Sequence, residues 1–156
     1  MLGITTRVFD NLRAAFNTQS YNVFVMEGGS RSSKTFSIIQ FWILWAHRNR
    51  GKEKRVVVSR LKGTWLAGTV YRDFIGVLKT YKLYDRKCEN KTNKIYRLFD
   101  TEFWFVGLDD PQKIHGLRSD AFWINEAIEA SFDDYAQLMQ RCEGFAILDY
   151  NPSEEG

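Results

Sequence analysis

Apolar residues along this chain occur in two kinds of run. Short runs of β-branched and aromatic residues predict buried strands. These runs are Val23–Glu27, Arg55–Ser59, Phe122–Asn125 and Phe145–Asp149. The longer segments between them have the length and apolar spacing of helices, and they are Ser33–Asn49, Thr64–Tyr81 and Ser131–Cys142. Strands that alternate with helices predict an α/β fold, a mostly parallel sheet with helices on both faces.

One further pattern adds a hairpin to this alternation. Lys94–Phe99 and Glu102–Val106 flank the polar pair Asp100-Thr101, which predicts an inserted β-hairpin with those two residues at its turn.

The chain has 156 residues, 44% of them hydrophobic, which is enough to bury one core. We therefore expect a single domain over residues 1–156.

Composition excludes several classes of protein. The longest apolar run, Phe36–Ala46, is shorter than the roughly 20 residues that span a bilayer, so no membrane contact is expected. Cys88 and Cys142 show neither a disulfide framework nor a metal-binding spacing, and are predicted to be reduced core thiols of a cytosolic protein.

Charge is distributed unevenly along the chain. The net charge is only +3, but residues 1–99 carry 19 lysines and arginines against 6 acids, whereas residues 100–156 carry 3 against 13. The basic excess is densest between His47 and Gly63. This segment predicts either a surface that faces a polyanion or a solvated loop, and the acidic half is suited to a basic neighbour or partner.

The most informative segment lies between the first strand and the first helix. Gly28–Thr35 (GGSRSSKT) nearly matches the pattern G-x-x-x-x-G-K-[ST], with Ser33 in place of the usual second glycine. Lys34 is predicted to bind between the β- and γ-phosphates of ATP, and the Thr35 hydroxyl to ligate Mg²⁺. Arg31 is predicted to meet charge developing on the γ-phosphate, or else to be a solvent-facing loop charge. The predicted nucleotide-binding residues are Gly28, Gly29, Ser30, Arg31, Ser32, Ser33, Lys34 and Thr35.

Two later strands end in polar residues that complete this pattern. Glu126 follows the strand Phe122–Asn125 and is predicted to be the general base, which makes the catalytic set Glu126, Lys34 and Arg31. Asn125 stands where ATP-hydrolysing P-loop proteins normally carry aspartate. It is predicted to lie in the second shell of Mg²⁺, and Asn125→Asp is expected to leave activity intact or to tighten Mg²⁺ binding. Asn151, after the last strand, is predicted to contact phosphate or water.

Together these motifs resemble the N-terminal ATPase domain of the large terminase subunits of tailed bacteriophages. The likeness covers nearly the whole chain and rests on GGSRSSKT at Gly28–Thr35, DDPQKIHGLRSDAFWINEA at Asp109–Ala127 and LDYNP at Leu148–Pro152. It implies a P-loop fold of the RecA-like, ASCE type, and ATP hydrolysis that translocates double-stranded DNA into a procapsid. By the same resemblance, Asn151 belongs to the motif that couples hydrolysis to DNA movement. Arg118 and Arg60 become candidate contacts to DNA or to a neighbouring subunit, and the alternatives are a purely structural role for Arg118 and a simple strand-end charge for Arg60.

The resemblance also implies partners and a longer protein. The expected partners are DNA, the portal protein, the small terminase subunit and further copies in a ring, at the procapsid portal in the host cytoplasm. Family members continue into the rest of the ATPase domain and a nuclease domain, so this chain is expected to be incomplete at its C-terminus and to lack nuclease activity. A P-loop kinase or a nucleotide-binding module without motor activity is the alternative, and an ATPase assay with and without DNA separates these possibilities.

Overall fold

A seven-stranded sheet dominates the computed structural model, which describes residues 23–27 and 31–151, with the backbone only at residues 31–33. The strands are β1 Val23–Glu27, β2 Arg55–Arg60, β3 Glu89–Asn90, β4 Ile95–Leu98, β5 Thr101–Gly107, β6 Ser119–Ile124 and β7 Cys142–Tyr150. The helices are α1 Arg31–Arg48, α2 Gly63–Leu66, α3 Val70–Thr80, α4 Pro111–His115 and α5 Phe132–Gln140. Short 3₁₀ turns occupy Arg86–Cys88 and Ala127–Glu129.

The order of strands in the sheet is β1-β7-β6-β2-β5-β4-β3. The first five strands in this order run parallel, and β4 and β3 continue the sheet antiparallel. Parallel strands place all their carboxyl ends along one side of the sheet, here named the carboxyl edge, and all their amino ends along the opposite side, the amino edge. The last strand of the chain, β7, lies between β1 and β6, so the strands that carry the two main motifs are not direct neighbours.

Helices cover both faces of the sheet, as predicted. α1 and α3 pack on one face, where the fully buried Trp42 and Phe74 meet Phe103 of β5. α4 and α5 pack on the other, around Phe122 and Leu138. The two predicted core thiols are Cys88 and Cys142. Both are free, but the structure buries them only in part.

Two helix boundaries differ from the sequence prediction. α1 begins at Arg31 rather than at Ser33, so part of the predicted phosphate loop is already helical. The predicted helix Thr64–Tyr81 is divided into α2 and α3, because Thr69 has non-helical backbone angles (φ −129°, ψ −103°). Gly68 precedes it and is a poor helix former, which favours a break at this point.

The predicted hairpin forms, but its turn is one residue earlier than expected. Leu98 pairs with Thr101, so the two turn residues are Phe99 and Asp100. Both have left-handed backbone angles, with φ of 51° and 71°, as a type I′ turn requires. The hairpin is also not an insertion, because β5 pairs in parallel with β2 and continues the main sheet.

The outer part of the sheet is held by a carboxylate that accepts two tyrosine hydroxyls. Tyr71 of α3 and Tyr84 both donate hydrogen bonds to Glu89. Burial raises the pKa of Glu89, but these hydrogen bonds outweigh burial and hold the pKa below its usual value. The bond to Glu89 also raises the pKa of Tyr84 to about 12.

Candidate functional site

The first turns of α1 carry two buried polar side chains at the carboxyl edge. Lys34 is 1% exposed and Thr35 is 3% exposed. The Lys34 ammonium donates to the carbonyl oxygen of Tyr150 and lies 3.9 Å from the carboxylate of Asp149. The lysine therefore reaches from α1 to the end of β7. The first backbone amides of a helix lack intrahelical partners and are suited to bind an anion.

Part of the predicted phosphate loop cannot be compared with the structure. Gly28, Gly29 and Ser30 lie outside the described residues, as do the side chains of Arg31, Ser32 and Ser33. Their predicted contacts to nucleotide therefore stay predictions.

Glu126 follows β6 at the same edge and has an unusual backbone. It is 5% exposed and adopts left-handed angles, φ 56° and ψ 54°. For a residue with a side chain, this conformation costs roughly 1–2 kcal/mol of free energy relative to the right-handed helical conformation. Among the described non-glycine residues with positive φ, Glu126 is the buried one. Such strain persists where surrounding contacts enforce it, and it is common in active sites.

One buried carboxylate connects these residues, and the sequence analysis did not identify it. Asp149 of β7 is fully buried and accepts hydrogen bonds from the Trp123 indole at 2.5 Å and from the backbone amide of Glu126 at 3.2 Å. The side-chain amide of Asn125 lies 3.2 and 3.3 Å from its two oxygens. Burial raises the pKa of Asp149, while the hydrogen bonds and the Lys34 ammonium oppose that rise. The signal in the sequence was a carboxylate directly after the apolar run Phe145–Leu148 of this strand.

Asn151, directly after β7, is 9% exposed and lies at the carboxyl edge. The structure thus brings five side chains to neighbouring positions at this edge, four of them predicted. They are Lys34, Thr35, Asn125, Glu126 and the unpredicted Asp149, and Asn151, also predicted, is the sixth side chain at this edge.

Arg60 also lies at the carboxyl edge, at the end of β2, but its charge is already paired. Its guanidinium contacts both oxygens of Glu129, at 3.2 and 3.3 Å, and lies over the Trp65 ring, 5.1 Å from its centroid. The side chain is 11% exposed. A contact from Arg60 to DNA or to another subunit therefore requires this pair to open, and that contact stays a prediction.

Arg118 lies at the amino edge, immediately before β6, and pairs with Glu143. Six residues of strand, about 20 Å, separate it from Glu126. Arg118 therefore cannot reach the nucleotide site of its own chain. Its side chain is 71% exposed, and the predicted contact to a neighbouring subunit or to DNA stays a prediction.

The basic segment between His47 and Gly63 does not form one surface. α1 starts at the carboxyl edge and ends at the amino edge, so residues 48–54 and Arg60 lie at opposite ends of the sheet. Acidic residues from the second half of the chain pair with several of these cations, including Lys54 with Asp120 at 3.8 Å and Arg55 with Glu102 at 3.6 Å. Folding thus balances much of the charge asymmetry seen along the sequence.

The site residues fit a hard metal ion bound together with phosphate. Thr35, Asn125, Asp149 and Glu126 offer hydroxyl, amide and carboxylate oxygens, which are the ligands that Mg²⁺ prefers. The amide nitrogen of Asn125 faces Asp149, so its amide oxygen points the other way. Among residues 23–27 and 31–151, no three His, Cys, Asp or Glu side chains are grouped so that they could hold a metal by themselves.

Comparison with known proteins gives one family match. The family model described as phage terminase large subunit matches residues 20–155. No curated protein sequence matches the chain significantly.

Several solved structures of phage packaging proteins have this fold. The large terminase of a thermophilic bacteriophage matches with a TM-score of 0.77 and 17% identity, over 94% of this chain and 38% of that one. The HK97 bacteriophage large terminase matches with a TM-score of 0.69 and 14% identity, over 95% and 33%. The large terminase ATPase domain of Thermus phage P74-26 matches with a TM-score of 0.56 and 13% identity, over 82% and 58%.

The first of these three proteins, from the thermophilic bacteriophage, has also been solved with ADP and with ATP-gamma-S. These likenesses establish the mostly parallel P-loop fold that the motifs predicted. The chain spans about two fifths of the length of that large terminase, 38%.

Proposed function

Because this chain belongs to the phage terminase large subunit family, we propose that it forms the ATP-hydrolysing part of a motor that moves double-stranded DNA into a procapsid. The observation that carries the proposal is the meeting of Lys34, Asp149 and Glu126 at the carboxyl edge, next to a phosphate-loop sequence. In open α/β sheets, ligands bind outside the carboxyl ends of the strands.

ATP is proposed to bind with its phosphates at the N-terminus of α1. The helix amides and the Lys34 ammonium supply positive potential there, and the hydroxyl of Thr35 and the amide oxygen of Asn125 would hold Mg²⁺. When bound, Mg²⁺ neutralises charge on the phosphates. The Lys34 ammonium leaves the Tyr150 carbonyl or shares it, because a lysine ammonium has three donor hydrogens.

Hydrolysis is proposed to use Glu126 as the general base. Its carboxylate accepts a proton from the attacking water, and its buried position limits competing solvent. The contact from its backbone amide to Asp149 fixes where the side chain begins. Arg31 is proposed to meet charge on the γ-phosphate.

The first test separates binding from chemistry. Lys34→Ala should weaken Mg-ATP binding at least several-fold in an equilibrium titration, whereas Lys52→Ala, an exposed change on the amino edge, should not. Glu126→Gln should retain binding and lose about 10²–10⁴-fold in turnover, because an amide cannot accept the proton. Glu53→Gln, an exposed change at the amino edge, is the matched control. Normal turnover in Glu126→Gln would assign the base to another group.

The same assay with and without duplex DNA separates a motor from the alternatives. A motor ATPase should turn over faster when DNA is present. A P-loop kinase should transfer phosphate to an added acceptor rather than to water, and a nucleotide-binding module should bind without turnover. Phosphate transfer to an added acceptor, or binding without turnover, would replace the motor proposal.

Contact with DNA is proposed at the amino edge, where part of the basic segment is exposed. Arg48, Arg50 and Lys52 are exposed and form no ion pair with a described residue. Each phosphate that such a charge neutralises adds about 0.9 to the slope of log affinity against log salt. Replacing all three by alanine should therefore reduce that slope by up to about 3. An unchanged slope would place the DNA elsewhere.

The matched control changes three exposed cations at the hairpin side of the sheet, Arg86, Lys87 and Lys91. This triple alanine variant removes the same charge from a different surface. Equal losses in both variants would indicate a general effect of net charge rather than a DNA-binding surface at the amino edge.

The proposal also includes a ring of subunits at the portal protein, with the small terminase subunit, in the host cytoplasm. Within the described part of the chain, no helix is both long enough and apolar enough to cross a membrane. If Arg118 or Arg60 completes a neighbour's site, turnover per subunit should fall on dilution. Constant turnover across a dilution series would contradict a shared site.

The chain is proposed to lack nuclease activity, which plasmid nicking in the presence of Mn²⁺ would disprove.

A further inference from the structure

Asp149 occupies the one strand that separates the phosphate-loop strand from the strand before Glu126. β7 pairs with β1 on one side, where Asp149 faces Met26, and with β6 on the other, where Leu148 faces Ile124. Asp149 therefore lies one position further along than the last β6 pairing, beside Asn125. A side chain here can contact residues from both motifs.

The contacts of Asp149 come from both sides. From β6 and the residues after it, the Trp123 indole, the Asn125 side-chain amide and the Glu126 backbone amide all donate to its carboxylate. From α1, the Lys34 ammonium lies 3.9 Å from Oδ1. The carboxylate is fully buried, and burying a charge costs free energy unless it is paired and hydrogen-bonded. Four donors or counter-charges around one carboxylate meet that requirement.

The neighbouring residue lacks the charge expected at its position. Asn125 is neutral, and its amide nitrogen is directed to Asp149 rather than outward. The negative charge between Lys34 and Glu126 is thus carried by Asp149 of the adjacent strand β7. Because the side chains of positions 125 and 149 are in contact, one charge placed on either of them occupies nearly the same point.

We propose, on the basis of the function proposed above, that Asp149 is a positioning residue that supplies from β7 the carboxylate that position 125 lacks. It holds the left-handed backbone of Glu126 through one hydrogen bond, turns the oxygen of Asn125 toward the nucleotide, and gives Lys34 a counter-charge. The phosphate-binding cation and the general base are therefore held by the same group.

Exchange of the two side chains tests this proposal. Asp149→Asn keeps the shape and removes the charge, and should lower kcat about 10–100-fold with a smaller change in KM for Mg-ATP. The double variant Asn125→Asp with Asp149→Asn returns the charge to the site. Its new amide at position 149 can still donate to position 125, but its single oxygen can accept from Trp123 or from the Glu126 amide and not from both. Activity should therefore recover in part, to a level above that of Asp149→Asn and below that of the native chain.

A second readout does not depend on turnover. Without its negative charge, the Asp149→Asn site should bind metal-free ATP, measured in EDTA, more tightly relative to Mg-ATP. The ratio of the dissociation constants for ATP and Mg-ATP should change several-fold and should return toward its native value in the double variant. Asp133→Asn, an exposed change in α5, is the control for loss of one charge. A merely structural role would lower thermal stability and leave the ratio unchanged.

The outcomes are distinct from failure of the proposed function. If the native chain binds ATP without turnover, hydrolysis fails as a proposal, while the binding ratio still tests Asp149. Native turnover in Asp149→Asn, an unchanged ratio, or a folded double variant with no recovery would each overturn the positioning role. If neither variant folds, Asp149 is a requirement of the fold and the proposal is rejected.

Discussion

Replacing Asn125 by aspartate places a second carboxylate against Asp149. The Asn125 amide nitrogen lies 3.2 Å from one Asp149 oxygen, and an aspartate oxygen would occupy nearly the same place. Two unit charges at that separation repel by about 5 kcal/mol with an effective dielectric constant of about 20. The pair lowers this repulsion if one carboxyl binds a proton, and at pH 7 that costs about 4 kcal/mol for a group that ordinarily titrates near pH 4.

The smaller of these two costs sets the expected loss of stability. We predict that Asn125→Asp lowers the free energy of unfolding by about 3–4 kcal/mol at pH 7 and by about 2 kcal/mol at pH 5.5. The folded pair holds a proton that the unfolded chain releases above about pH 4, so stability falls as the pH rises. This loss of stability differs from the sequence expectation that Asn125→Asp leaves activity intact, because the sequence did not place the Asp149 carboxylate beside position 125.

Urea unfolding at pH 5.5 and pH 7.5 measures this effect. Asn93→Asp is the control, because Asn93 is exposed in the turn before β4 and its change adds the same charge. The reasoning is refuted if Asn125→Asp is as stable as the control at pH 7.5, or if the difference between them does not depend on pH.

Four further substitutions test the scaffold. Gly107→Ala should destabilise by about 1–3 kcal/mol or more in urea unfolding, because its Cβ would lie 2.3 Å from the Gly63 backbone nitrogen. Gly76→Ala, a helical position with open space around the new Cβ, should instead stabilise by about 0.5–1 kcal/mol, and equal effects would contradict the packing argument. Tyr71→Phe should lower the melting temperature at pH 7 and have less effect near pH 3, because the lowered pKa of Glu89 adds stability only while that group is ionised; a loss independent of pH would refute this. Ser131→Ala should cost about 1 kcal/mol by removing the bond to the amide of Asp134, and unchanged stability would mean that the capping box contributes nothing.

Local patterns were sufficient for most of the strands and helices and for naming candidate site residues. The strand Val23–Glu27, the helix after it and the polar residues at strand ends follow from burial periodicity and from the chemistry of phosphate binding. These signals lie within a few consecutive residues, so Lys34, Thr35 and Glu126 could be proposed as site residues without coordinates. The break at Thr69 and the turn at Phe99 were missed, because they depend on backbone angles that neighbouring side chains only weakly favour.

The sequence by itself determined which side chains are candidates for binding and hydrolysing a nucleotide, because that chemistry needs particular residue types at short spacing. Only the tertiary structure decided which of them meet. β7, last in the chain, lies between β1 and β6, and this places Asp149 against Lys34, Asn125 and Glu126 across long separations in sequence. The direction of the strands likewise put Arg60 and Arg118 at opposite edges. Strand order is set by how whole helices and strands bury their apolar faces together, and no short segment carries that information.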